Sequence, residues 1–142
     1  MALYNINEAV FELPGPSWDD QTINILGTPA PDGSNFGVVV ARFKLQEGQS
    51  LAVFVDKHLE EHSQTLRGYE LLGRRDSVIA GLPAVEVKLK WLNEGNAIFH
   101  RVAFIGYYEL VVVLTGSSLV KNAGDCELLM DAILPTLRFR ER

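Results

Sequence analysis

The sequence predicts an α+β domain: an antiparallel β-sheet with two α-helices packed on one face. Three observations carry this. Most of the chain reads as short apolar or alternating runs joined by Gly-, Asn- and Pro-rich turns, the pattern of strands in hairpins. Only two segments keep apolar residues at helical spacing. The length of 142 residues is that of one ordinary domain, read here as spanning 1–142.

Tyr4 to Asn7 and Ala9 to Leu13 read as short strands, and Pro14-Gly15-Pro16-Ser17 breaks the second. Thr22 to Leu26 is the next strand. Asp32-Gly33 supplies a tight turn, and Phe36 to Phe43 returns. Ser50 is a natural N-cap, because its hydroxyl can accept from an unpaired amide of the first helical turn. Leu51, Phe54, Val55, Leu59, His62 and Leu66 then form one helical face, and Gly68 is placed to stop the helix. Tyr69 to Arg75 and Val78-Ile79 follow as extended segments. Val85, Val87, Leu89 and Trp91 alternate with Glu86, Lys88 and Lys90, as a half-buried strand does. Asn93 to Asn96 turns it, Ala97 to Ile105 returns, Gly106 turns again, and Tyr107 to Leu114 is the last strand. A second helix covers about Asp125 to Leu134, and Pro135 should end it.

Composition excludes several classes. The net charge of −5 repels phosphate backbones and anionic lipid, so neither nucleic acid nor stable membrane association is expected. One cysteine, Cys126, cannot form an internal disulfide, and its place on an apolar helical face suggests a buried thiol. The N-terminus has no basic or long apolar run, so no secretory signal is read there, and no stretch has the ~20 apolar residues of a membrane span. The expected location is the cytoplasm.

One irregularity points towards function. An antiparallel sheet with one wet face should alternate apolar and polar residues. Phe36 to Ala41 and Leu110 to Leu114 are instead apolar on both faces, and Ile23 and Ile25 share a face. Two helices cover about one face of such a sheet, so the other needs a dimer partner, the N-terminal hairpin or an apolar ligand. Gly37, Val39 and Ala41 share a face of small side chains, which lets another backbone approach closely. Gly37 could equally mark a bulge.

Four segments together resemble a known family: Leu3-Tyr4, Trp18-Asp19-Asp20-Gln21-Thr22-Ile23-Asn24, Gly68 to Arg75, and Gly81-Leu82-Pro83-Ala84. Their order and spacing resemble the DcrB-like family, and within it the effector-associated (Eag-type) chaperones of bacterial type VI secretion. The resemblance implies a PsbP-like sheet and a cradle-shaped homodimer. It implies binding of the apolar N-terminal transmembrane helices of a secreted effector before export. The cradle positions carried over are Ile23, Ile25, Gly37, Val39 and Ala41. Members of the family often have Ser where this chain has Gly37 and Ala41, so recognition here would rest on shape and apolar contact. The alternative within the same fold is a PsbP-like structural or adaptor domain with no hydrophobic client.

No catalytic residues, metal or cofactor are expected, and the chain is not read as an enzyme. His58-Leu59-Glu60-Glu61-His62 matches H-x-x-E-H, a pattern of zinc hydrolases. A zinc site needs a third ligand; Asp and Glu are plentiful, but no downstream helix offers an obvious one. The same histidines also lie in or beside the apolar stripe of their helix. His100 stands alone in a strand and reads as structural.

Overall fold

The computed structural model describes residues 2–15 and 17–141. Pro16, assigned above to the break after the second strand, lies outside the described residues, as do Met1 and Arg142. Eight strands and two helices follow in the order β1 (Ala2–Asn5), β2 (Val10–Leu13), β3 (Asn24–Pro29), β4 (Asn35–Lys44), α1 (Leu51–Thr65), β5 (Glu70–Ile79), β6 (Leu82–Asn93), β7 (Asn96–Tyr107), β8 (Leu110–Leu119) and α2 (Ala123–Ile133). β1 and β2 form a separate hairpin. The other six make one antiparallel sheet in the order β3-β4-β8-β7-β6-β5. The α+β class with an antiparallel sheet and two helices is therefore what the chain adopts.

Turn chemistry sets the registers. Ala80 and Gly81 sit at φ 53° and 77° between Ile79 and Leu82, and Glu94 and Gly95 at 51° and 83° between Asn93 and Asn96. Two successive left-handed residues are what a two-residue hairpin loop needs to match strand twist. The turn expected at Gly106 is not there. Gly106 pairs with Val111 inside the ladder, and the chain reverses at Tyr108 and Glu109, with Tyr108 at φ 53°. β5 runs unbroken through both extended segments read from the sequence, with a bulge between Leu71 and Gly73. β3 starts and ends later than expected, and β8 runs on to Leu119.

Ser50 caps α1 as expected, its Oγ accepting from Val53 N at 3.2 Å. Val55 and Leu59 of α1 pack on Val85, Val87 and Leu89 of β6, Val102 and Phe104 of β7, and Val111 and Val113 of β8. Met130 of α2 and Leu134 beyond it pack on Ala84, Ala103, Ile105 and Leu114, the intervening positions of the same strands. Neighbouring residues on a strand point to opposite faces. The helices therefore sit on opposite faces of the sheet, which corrects the expectation that both pack on one. It also explains β8. Val111 and Val113 lie under α1, while Val112 and Leu114 face α2 and the segment after it. A strand between two helical layers is apolar on both sides.

Candidate functional site

β3 and β4 lie beyond the reach of either helix over much of their length, and here apolar side chains remain open. The register places Ile25 opposite Val39 and Val39 opposite Thr115; Gly37 lies opposite Ser117, and Ala41 opposite Val113. Cross-strand partners share a face. Ile25, Gly37, Val39, Ala41, Thr115 and Ser117 thus form one surface on the α1 side of the sheet. Ile25 is 76% exposed; Gly37, Val39 and Ala41 are half-buried. Ile23 is 58% exposed, precedes β3 by one residue and lines a cavity beside Ala41. Four of the five expected binding residues are therefore tied together by the ladder, and the fifth stands at its end.

α1 forms the wall of this surface. Phe54 and His58 of the helix meet Phe43 of β4 with ring centroids 5.6 and 5.4 Å apart. His58 also stands edge-on to Phe104 at 5.3 Å and to His62 at 4.4 Å. Burial lowers the pKa of both His58 and His62, opposed in each case by the charge of Glu61. The third histidine, His100, lies opposite Ser117 on the same face, and its Nε2 accepts from Trp91 Nε1 at 3.3 Å. The H-x-x-E-H segment is thus packed in an aromatic cluster. Among the described residues no group of three or more His, Cys, Asp or Glu could hold a metal ion.

Burial, aided by the charge of His62, pushes His100 down to about 4 from its ordinary 6.5. An Nε2 that accepts a hydrogen bond must be unprotonated. The unfolded chain takes up a proton here near pH 6.5 and the folded chain only near 4. The stability contributed by neutral His100 is therefore complete above pH 6.5 and lost as the pH falls from 6.5 to 4. Replacing His100 with Gln should flatten this part of the pH dependence. Melting temperatures at several pH values check it; an unaltered slope would mean that His100 titrates freely in the folded protein.

The N-terminal hairpin does not cover the open surface. It is tied to the segment before β3 through Tyr4, whose hydroxyl donates to Asp20 Oδ1 at 3.1 Å and shares a 2.8 Å bond with Thr22 Oγ1. Hydrogen bonds from the Thr22 side chain and backbone hold the Asp20 carboxyl below its usual range. Leu3, Val10 and Phe11 of the hairpin stay exposed.

Two features escaped the sequence. Thr115 and Ser117 bring hydroxyls to the open surface, one strand away from Gly37 and Ala41. They lie past Leu114, the expected end of the strand. The second is a buried ionic cluster on the α2 face. Arg101 Nη2 donates to Glu86 Oε1 at 3.0 Å, and Arg101 Nη1 donates to Asp131 Oδ1 at 2.5 Å and to the Glu127 carbonyl at 3.1 Å. Cys126 is buried on the same side, and burial raises its thiol pKa.

The chain matches a family model described as DcrB over residues 8–136. A solved structure of PA94, a Pseudomonas aeruginosa protein of unknown function, superposes with a TM-score of 0.85 at 30% identity, over 99% of this chain and 98% of that one. LpqN of Mycobacterium tuberculosis, involved in cell envelope biogenesis, superposes at TM-score 0.59 and 18% identity, over 87% of this chain and 79% of its own. Cyanobacterial PsbP from Synechocystis sp. PCC 6803 gives 0.55 and 12%, over 77% and 78%. The fold is thus PsbP-like. No curated protein matches the chain. No helix among the described residues is long and apolar enough to cross a membrane.

Proposed function

The chain belongs to the DcrB family, and from that premise we propose that it works by binding, as a chaperone or adaptor. Its client is the apolar N-terminal transmembrane helices of a type VI secretion effector, shielded before export. The observation that carries this reading is the open surface of Ile25, Val39, Gly37 and Ala41, which the β3–β4–β8 ladder brings to one face of the sheet. Small side chains at Gly37 and Ala41 let a helix backbone come close, as they do between membrane helices. Exposed apolar area of this kind marks an interaction site. In this reading two copies form the cradle, and the protein acts in the cytoplasm.

The test pairs the protein with an apolar N-terminal segment from an effector encoded beside it. Co-purification and improved solubility of the segment are expected; a segment equally soluble alone removes the reading. Val39→Gln sharpens the test. In the free protein water can reach the new amide, so the melting temperature should hardly change. In the complex an apolar helix would bury that amide without a partner. Client binding should weaken about tenfold or more, which is about 1.4 kcal/mol. A large fall in melting temperature would instead place Val39 in a dimer seam or ordinary core, as a PsbP-like adaptor domain without a client requires.

A further inference from the structure

The cavity that Ile23 lines beside Ala41 has the lining of a ligand site. β3 first pairs with β4 at Asn24 and Val40, so the C-terminal part of β4 has no β3 neighbour. A cavity of about 950 Å³ opens there, between the Asp19–Ile23 segment and the tail after α2. Its floor is apolar: Val40, Val112, Leu114, Leu137 and Phe139. Its rim carries Arg42, Lys44, Arg138 and Arg140. The ion pairs of the described residues engage Arg74, Arg75, Lys88, Lys90, Arg101 and Lys121, and none of these four. Arg42 donates to the carbonyls of Thr22 and Val40, and its charge reaches Asp20. Asp19 also lines the cavity. The rim still carries two more positive than negative groups, in a chain of net charge −5.

We propose that this cavity binds an anionic amphiphile, a single-chain fatty carboxylate, with its alkyl chain on the apolar floor and its head group among Lys44, Arg138 and Arg140. Charge complementarity selects the head group, because cations gathered at one opening favour an anion. The volume falls within the ~300–1,000 Å³ of small-ligand clefts, and the lining, apolar with a few convergent polar groups, is typical of them. The net negative charge opposes docking on an anionic bilayer, so the ligand is a free amphiphile rather than a membrane. The tail that carries Arg138 and Arg140 is held in place. The Tyr107 hydroxyl donates to the Arg140 carbonyl, and the Tyr107 ring lies 5.0 Å from that of Phe139. The proposal does not rest on the chaperone reading: its floor faces the α2 side of the sheet, although Ile23 and Ala41 of the proposed client surface also border the cavity.

Calorimetric titration of the full chain with decanoate, and with decanol as the uncharged control of equal chain length, tests it. Decanoate should bind at least tenfold more tightly than decanol, and added salt should shrink the difference. Arg138→Gln with Arg140→Gln should remove most of the preference for the acid, while Val112→Gln should weaken both ligands. If the double arginine variant does not fold, as judged by its melt, Lys44→Gln should still weaken decanoate several-fold. No binding of decanoate, equal binding of decanol, rim variants without effect, or association with phosphatidylglycerol vesicles in place of the free acid would each overturn the proposal.

Discussion

Arg101→Ala is expected to cost the protein about 3–5 kcal/mol, the range found when one partner of a buried ion pair is removed. Arg101 and Glu86 are only 6% and 7% exposed. The guanidinium joins three elements: Glu86 on β6, its own strand β7, and α2 through Asp131 and the Glu127 carbonyl. Its loss leaves Glu86 with the mostly exposed Arg75, 2.9 Å away, as its remaining ion-pair partner. Burial alone would raise the Glu86 carboxyl. Hydrogen bonds from Arg101 and Ser77 and the charges of Arg75 and Arg101 more than offset this, so its pKa is lowered. The stability tied to that lowered pKa is present above the carboxyl's unfolded value and lost as the pH falls through the folded one. The penalty of Arg101→Ala should therefore be largest near neutral pH and shrink in acid, where Glu86 in the variant takes up a proton. Thermal melts should show a fall on the order of 10 °C at pH 7. The double variant Arg101→Met, Glu86→Leu should recover much of it, because no unpaired charge then stays buried. A single variant as stable as the parent would show that α2 does not depend on this pair.

The same cluster explains why the placement of the helices was not legible in the sequence. Glu86, Lys88 and Lys90 alternate with apolar residues, and alternation reads as a wet face. In the folded chain that face is covered at Glu86 by Arg101, and Lys88 pairs with Glu127 of α2. Polar residues satisfied by partners on a distant helix look the same in sequence as polar residues satisfied by water. A helical stripe marks what a helix buries but not which face of a sheet it meets. Local chemistry was more readable. Ser50 capped α1, and Asn93 to Asn96 made the turn that its Asn, Gly and polar residues announce. Gly106 misled because a glycine can sit inside a ladder as well as in a turn. It pairs with Val111, while the actual reversal uses Tyr108 and Glu109, which carry no turn signal. That Gly37, Val39 and Ala41 share one face was legible, because strand periodicity alone puts them there. Thr115 and Ser117 were not, because Thr, Gly and Ser after an apolar run resemble a loop.

Gly116→Ala is expected to destabilise the protein through one neighbour. Gly116 lies in β8 on the α2 face, and a Cβ built on it would sit 2.6 Å from both Cγ and Sδ of Met130 and 3.6 Å from Cys126 Sγ. Met130 and Cys126 are fully buried, so the thioether must move within a filled space. Methionine is flexible enough to give way in part, which keeps the cost to about 1–3 kcal/mol, in the range of overpacked cores. Met130→Ala alone should cost about 2–5 kcal/mol by leaving a cavity. Together the two should cost less than their sum, because the methyl on residue 116 then occupies part of the space Met130 vacates. A coupling of 0.5 kcal/mol or more is expected from urea melts of the four proteins; strict additivity would mean that the close approach is relieved elsewhere. The side chain at 116 points away from the surface that carries Thr115 and Ser117. At temperatures where Gly116→Ala remains folded, its affinity for an apolar helix should therefore equal that of the parent. Loss of client binding in step with stability would mean that the two faces of β8 are not independent, and that α2 takes part in holding the open surface in shape.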